Sequence, residues 1–366
     1  MKQPISDELF MERALLLAER GQNEVAPNPL VGCVIVSEHG KIIGEGWHKR
    51  YGGAHAEVEA FDSVKDDHRA ELSESTWYVT LEPCNHAGKT PPCTDLLLRV
   101  KPRRVVIGCL DPNPIVQGGG VETLKKAGIT TEVGCLKKRL KWQNRRFFWN
   151  SSNRCSWIVL KWAESQNGWL DPRPDSARIP GAGSFAITGG EARELTHAWR
   201  AQEQAILIGA NTALVDHPKL TVRDANGKSP QIILFDPSCK VSHNHPLFQN
   251  NPSLIHICGK QNQLNSANLC QWDISEGFDK LSERLFVDFN ISSVLVEGGA
   301  QVLELFIRHN RWNEIKFWRS PDTLESKEGL RAPVVPASSI SPPEFVERQG
   351  QAGKDHWQHW IHSSFS

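Results

Sequence analysis

Two short segments in the first hundred residues hold the side chains best suited to chemistry. They are His55-Ala56-Glu57 and Glu82-Pro83-Cys84-Asn85-His86-Ala87-Gly88-Lys89-Thr90-Pro91-Pro92-Cys93. Together they offer an imidazole, two thiols and a carboxylate. His55, Cys84 and Cys93 make three protein ligands for Zn²⁺ and leave a fourth position for water, the arrangement of a catalytic zinc. Zinc lowers the pKa of such a water towards neutrality. A carboxylate that is not a ligand, here Glu57, then moves the proton to a ring nitrogen and a leaving amine. The chemistry that such a set would support is hydrolytic deamination of a heteroaromatic ring. Eight residues separate Cys84 from Cys93, against two in common zinc deaminases. Two further readings therefore stay open. One is a pair of unrelated cysteines beside a surface histidine. The other is a closed structural zinc with His86 as the fourth ligand.

These groups need rigid elements to hold them. Met11 to Gly21 reads as an amphipathic helix ending at glycine. Leu30 to Val36 and Lys41 to Gly46 flank His39-Gly40 as a hairpin. His55 to Phe61 predicts a helix start, Ser75 to Leu81 a strand, Thr94 to Val100 a helix, Arg104 to Cys109 a strand, Val121 to Ala127 a helix and Ile129 to Gly134 a strand. This alternation predicts a layered α/β domain with both metal segments at helix N-termini, where the helix dipole favours thiolates. Lys137 to Arg154 is basic with interleaved aromatics, and predicts a helix and linker at a domain boundary. A second α/β pattern follows. Strands are expected at 157–162, 204–209, 231–235, 253–257 and 292–296, with helices at 190–200 and from Glu297-Gly298-Gly299 to Phe306. Residues 209–223 read as a polar loop, and the tail from Pro321 has no clear assignment.

The chain has 366 residues, enough for about two domains. Lys plus Arg and Asp plus Glu are 42 each, which disfavours a nucleic-acid partner and fits a small-molecule substrate. Nine cysteines, an odd number, point to a reducing compartment rather than a disulfide framework. No signal peptide and no run of about 18 apolar residues is visible, so a cytoplasmic protein without membrane contact is expected.

The segment Pro83-Cys84-x-His86-x-Gly88-x-Thr90-Pro91-Pro92-Cys93 resembles the deaminase of riboflavin biosynthesis. Pro27-Asn28-Pro29-x-Val31-Gly32-Cys33, Gly44-x-Gly46-x-His48, Gly108-Cys109-x-Asp111-Pro112-Asn113-Pro114 and Gly118-Gly119-Gly120 extend the resemblance over residues 5–150. It implies a cytidine-deaminase-like three-layer domain at 1–150, acting on a pyrimidine ribotide. Glu57 is then the catalytic residue, and Asn28, His48 and His86 line the pyrimidine pocket.

In the second half, Glu297-Gly298-Gly299 at a strand-to-helix turn suits a phosphate at a helix N-terminus, although the full Gly-x-Gly-x-x-Gly fingerprint is absent. Lys161-x-Ala163-x-Ser165-x-x-Gly168, Ile187-Thr188-Gly189-x-Glu191-Ala192-Arg193, His197-x-x-Arg200-Ala201, the 212–223 loop and Val296-Glu297-Gly298-Gly299 resemble the reductase half of bifunctional riboflavin biosynthesis proteins. The resemblance implies a dihydrofolate-reductase-like α/β domain at 151–366 that uses NADPH. Ala163, Ala186, Thr212, Asp216 and the turn Gly299, Ala300, Gln301, Val302, Leu303, Glu304 and Leu305 are then expected at the cofactor. Ser184, Arg200, Leu220, Arg223 and Glu297 are expected at the substrate, with both arginines suited to a ribose phosphate. Hydride transfer to the opened ribose would give a ribitylamino chain. The chain departs from the family pattern at Asn167, where Ser-Leu-Asp-Gly is usual, at His217 within Asp-Asp-Pro, around Phe185-Ala186, and in a longer 169–183 loop. Alternatives are a deaminase with a degenerate reductase, a nucleic-acid base deaminase and a zinc-stabilised scaffold. A homo-oligomer is expected.

Overall fold

In the computed structural model, residues 6–86, 91–113, 117–259, 268–341 and 349–365 are described. Residues 87–90 of the second metal segment, and Pro114, lie outside them. The chain divides into two compact units, Met1–Asn153 and Arg154–Ser366.

The elements of the first unit are α1 (Asp7–Glu19), β1 (Gly32–Val36), β2 (Ile42–Trp47), α2 (Ala56–Asp62), β3 (Thr76–Leu81), α3 (Cys93–Val100), β4 (Arg104–Cys109), α4 (Gly119–Lys126), β5 (Thr130–Val133), α5 (Lys137–Gln143) and α6 (Arg145–Asn153). The sheet order is β2-β1-β3-β4-β5. The β1–β2 hairpin is antiparallel, and β3, β4 and β5 are parallel. Strand alternation sorts the core into two layers. Val34, Val36, Tyr78 and Val106 face Phe10, Met11 and Leu17 of α1. Cys33, Ile35, Val79 and Ile107 face Ala56 and Ala60 of α2 and Leu97 of α3. Burying a side chain such as Leu17 contributes about 2 kcal/mol. Helix α1 starts four residues before the expected Met11, because the Ser6 side chain accepts the Glu8 N–H and caps it. The basic 137–154 stretch forms two helices and buries Leu140.

Helix α2 lies almost on the backbone of β2. A Cβ on Gly46 would meet Ala60 N at 2.2 Å, so only glycine lets α2 approach and bring its N-terminus over the sheet.

The second unit contains β6 (Trp157–Glu164), β7 (Trp169–Asp171), α7 (Gly190–Ala201), β8 (Ala205–Gly209), α8 (Ala210–Asp216), β9 (Gln231–Phe235), α9 (Pro246–Asn250), β10 (Ile255–Cys258), β11 (Leu269–Gln271), α10 (Gly277–Val287), β12 (Ser293–Val296), α11 (Ala300–Arg308), β13 (Glu314–Arg319), β14 (Leu330–Arg331), β15 (Ile340–Ser341), β16 (Gln349–Ala352) and β17 (Asp355–His362). Its main sheet runs β11-β10-β9-β8-β12-β6-β13-β17-β15, with β16 on β17. The strands from β11 to β13 are parallel, and β17 closes antiparallel on β13. Both faces of the parallel part are covered: Leu207 and Ile233 look into one core, Ile206 and Ile232 into the other. One sequence expectation needs correction: residues 210–216, read as part of a loop, form helix α8. The tail, left without an assignment from sequence, carries β17, which spans eight residues and pairs along all of β13.

Candidate active sites

The first site sits where α2 and α3 begin. His55 is the N-cap of α2, and Cys93 is the first residue of α3. Cys84 follows β3, in the loop that leads to α3. The ligating atoms of His55, Cys84 and Cys93 all lie within 4.8 Å of one another. His55 Nδ1 stands 3.2 Å from Cys93 Sγ and 3.5 Å from Cys84 Sγ. The Cys93 N–H, an orphan donor at the start of α3, points at Cys84 Sγ from 3.2 Å. The Cys84 thiol is held well below its ordinary range, chiefly by a hydrogen bond from Cys93, with His55 and the Cys93 N–H adding to it against burial. One imidazole nitrogen and a sulfur primed as thiolate, beside a second sulfur, are the soft donor set that Zn²⁺ prefers. His86 is exposed and lies outside the cluster, which among the described residues has three members. The closed four-ligand reading therefore loses its fourth ligand.

Glu57 is 3 % exposed on the first turn of α2. Its pKa is raised, first by burial and then by the Cys84 charge. A buried carboxyl with a raised pKa beside a metal corner suits a proton carrier. His48 lies behind this corner with both ring nitrogens engaged. Nδ1 meets Ala54 C=O at 2.9 Å, and Nε2 meets Asn28 Nδ2 at 3.1 Å. That pattern fixes a neutral ring with the proton on Nδ1, and burial lowers its pKa. His48 thus orients the Asn28 carboxamide.

Sequence reasoning passed over Glu82, a buried carboxylate that accepts four backbone N–H groups. Asp111 and Gly118 donate to Oε2, and Gly120 and Val121 to Oε1, at 3.0–3.2 Å. It ties the start of α4 to the loop that carries Cys84. The available signal was a charged residue ending an otherwise apolar strand, which has to be satisfied when buried.

In the second unit a cleft of about 790 Å³ opens along the ends of β6, β8, β9 and β12. Ala163, Thr212, Asp216, Ser184, Glu297, Gly299, Ala300, Gln301, Val302, Leu303 and Leu305 line it, whereas Ala186 and the exposed Glu304 do not. Thr212 Oγ1 accepts the Gly299 N–H at 2.9 Å and sets the glycine turn. Gly298 cannot carry a side chain, since a Cβ there would meet Gly209 N at 2.5 Å.

Arg200 is committed to a carboxylate of the protein itself and not to a ligand phosphate. Its Nε and Nη2 bind both Glu297 oxygens at 2.7 and 2.8 Å. Lys161 Nζ adds a charge 3.9 Å from Glu297 Oε2. Burial acts to raise the Glu297 pKa, but Lys161 and Arg200 hold it down to about 2. Leu220 is packed in the core beside Ile206 and Ile232. Arg223 is exposed, with its backbone N–H donating to His197 Nδ1 at 3.0 Å. Lys161, Asp171, Arg178 and Lys240 also line the cleft. Lys161 was detectable as a charge in the middle of an apolar strand. Arg178 and Lys240 lie in irregular segments without a residue pattern to flag them.

Residues 4–109 match the cytidine and deoxycytidylate deaminase zinc-binding region, and residues 157–329 match the RibD C-terminal domain. The riboflavin biosynthesis protein RibD of Aquifex aeolicus is 35% identical over 330 residues, covering 88% of this chain and 89% of that protein. The Buchnera aphidicola RibD is 31% identical over 374 residues, covering 96% and 97%. Among solved structures, Acinetobacter baumannii RibD superposes with a TM-score of 0.82 at 30% identity, covering 98% of this chain and 99% of that one. A Thermotoga maritima diaminohydroxyphosphoribosylaminopyrimidine deaminase/5-amino-6-(5-phosphoribosylamino)uracil reductase gives 0.81 at 31% identity, covering 97% and 98%.

Proposed function

Because the chain belongs to the RibD family of riboflavin biosynthesis proteins, we propose that it carries out two consecutive steps on one pyrimidine ribotide. It is a bifunctional enzyme, a zinc-dependent hydrolase and a reductase. The first step replaces the ring amine of 2,5-diamino-6-(5-phosphoribosylamino)pyrimidin-4-one by oxygen. The second reduces the ribosyl group to ribityl with NADPH. The observation that carries the reading is the three-donor cluster with buried Glu57 against it.

His55, Cys84 and Cys93 would hold the zinc, which supplies a hydroxide at neutral pH. Glu57 would take one proton from the attacking water and pass it to the ring nitrogen, then take the second from the hydroxyl added at the carbon and pass it to the amine, which leaves as ammonia while the C=O forms. Asn28, held by His48, presents its remaining carbonyl to the pyrimidine edge. In the second unit, residues 1–150 having served deamination, residues 151–366 supply the reductase. NADPH supplies the hydride. The N–H groups at the start of α11 and the Thr212-fixed turn favour a cofactor phosphate. Lys161, on the floor beside Glu297, would polarise the C=N bond of the opened ribosylamine and give its nitrogen the proton that accompanies hydride addition at carbon, and Arg223 remains available for the ribose phosphate. No described helix is long and apolar enough to cross a membrane. Two exposed leucines a double turn apart on α1, Leu9 and Leu16, support self-association.

The test is mass spectrometry of the products from that ribotide. Without NADPH the mass should rise by about one unit as amine becomes oxygen. With NADPH it should rise by about two more. An unchanged mass in a zinc-loaded protein would refute the reading.

A further inference from the structure

The turn Ser165-Gln166-Asn167-Gly168 joins β6 to β7, and Asn167 stands where the family resemblance leads one to expect aspartate. Asn167 is absent from the lining of the cofactor cleft. Its carboxamide instead closes on the backbone of Leu324. Nδ2 donates to Leu324 C=O at 2.8 Å, and the Leu324 N–H donates to Oδ1 at 3.0 Å. The Ser165 hydroxyl donates to the same Oδ1 at 2.8 Å. A carboxylate accepts two of these bonds but makes no donation, and it sets a negative charge against the Leu324 carbonyl.

Leu324 belongs to a stretch, 322–332, that is stitched along this turn. The Gln166 N–H donates to Asp322 C=O, and the Ala332 N–H to Gly168 C=O, both at 2.9 Å. Arg331 donates to Asn167 C=O at 2.8 Å, and its guanidinium lies 3.5 Å over the Trp169 ring. Strand β14 pairs with β7, and a Cβ on Gly329 would meet Asp171 O at 2.5 Å. The two paired segments each send side chains into the cleft: Leu170 and Asp171 from β7, Leu330 from β14.

We propose that residues 322–332 are a strap that holds Leu330 against the cofactor cleft, and that Asn167 is the positioning residue that clips it in place through its carboxamide. This rests on the reductase reading above. Position 167 then needs an amide rather than a base, and the asparagine is no mark of a degenerate reductase.

The experiment uses the full-length, zinc-loaded chain with NADPH as the probe. It compares wild type, Asn167→Asp and Arg331→Ala by NADPH fluorescence titration, by KM and kcat, and by tryptic cleavage after the exposed Lys327. Asn167→Asp should weaken NADPH binding and raise its KM about tenfold, with kcat within about twofold. Cleavage after Lys327 should quicken, slow again when NADPH is added, and leave deamination unaffected. Arg331→Ala leaves the Asn167 side chain untouched and should shift the same readouts in the same direction. Unchanged NADPH affinity together with unchanged cleavage would overturn the proposal. A fall in kcat at constant KM would also overturn it, by placing Asn167 in the chemistry. If Asn167→Asp does not fold, Asn167→Ala, which removes the carboxamide without adding a charge, decides by the same criteria. A wild-type chain that binds no NADPH would instead refute the reductase reading.

Discussion

The metal corner and the cofactor cleft solve different problems with similar α/β material. At the corner, three donor atoms within 4.8 Å and one buried carboxylate come from two short segments, each at or beside the start of a helix. The protein must supply a ligand set and a proton carrier, so residue identity and spacing carry the design. In the cleft the cofactor brings the reactive hydride. The protein supplies surfaces, and its strongest charges, Glu297 and Arg200, are spent on each other. Chemistry done by side chains leaves a signature in the sequence, whereas chemistry brought by a ligand leaves mostly shape.

Mutations that separate these two roles sharpen the contrast. Glu57→Ala should cost about a thousandfold in deamination while zinc content, read by atomic absorption, stays at one per chain. Loss of zinc together with activity would make Glu57 a ligand and erase the distinction. Arg200→Ala leaves Glu297 buried beside Lys161 alone. The second unit should lose about 3 kcal/mol, measured by urea unfolding, along with reductase turnover. If stability held and only KM for the ribotide rose, Arg200 would be a substrate clamp after all. Glu82→Gln weakens four N–H bonds to a carboxylate without touching a donor atom. It should cost the first unit about 2 kcal/mol and leave zinc bound.

A smaller effect follows from pH. The Glu297 carboxyl is held at about 2, below its ordinary 4.5. A depressed carboxylate stabilises the fold fully above the unfolded value, and that contribution fades as pH falls from about 4.5 towards 2. Glu297→Gln should flatten the acid unfolding of the second unit in that window, and an unaltered acid profile would remove the ion pair from the account.

How much of this could be read in advance follows the same division. The β-branched runs at 30–36, 104–109 and 231–235 announced their strands, since alternating or continuous burial demands such residues. His55, Cys84 and Cys93 were legible as a group because few residue types make a zinc donor set, and the fold brings the three together. Helix α8 was hidden by its polar residues Asn211, Thr212 and Asp216, which face the cleft. Strand β17 was hidden because its histidines and glutamine interrupt the apolar pattern, although Trp357, Trp360 and Ile361 pack into the core. Leu220 was misleading, since it follows a polar helix yet turns back into the core. The role of Asn167 depends on Leu324, 157 residues away, and such a pairing has no local trace.

The central claim, that two separate sites act in sequence, is tested most directly with the zinc-loaded Glu57→Ala chain and two substrates. Given the aminated ribotide and NADPH, it should oxidise almost no NADPH. Given the already deaminated ribotide, it should oxidise NADPH at the wild-type rate. Wild-type oxidation on the aminated ribotide, or none on the deaminated one, would contradict the account.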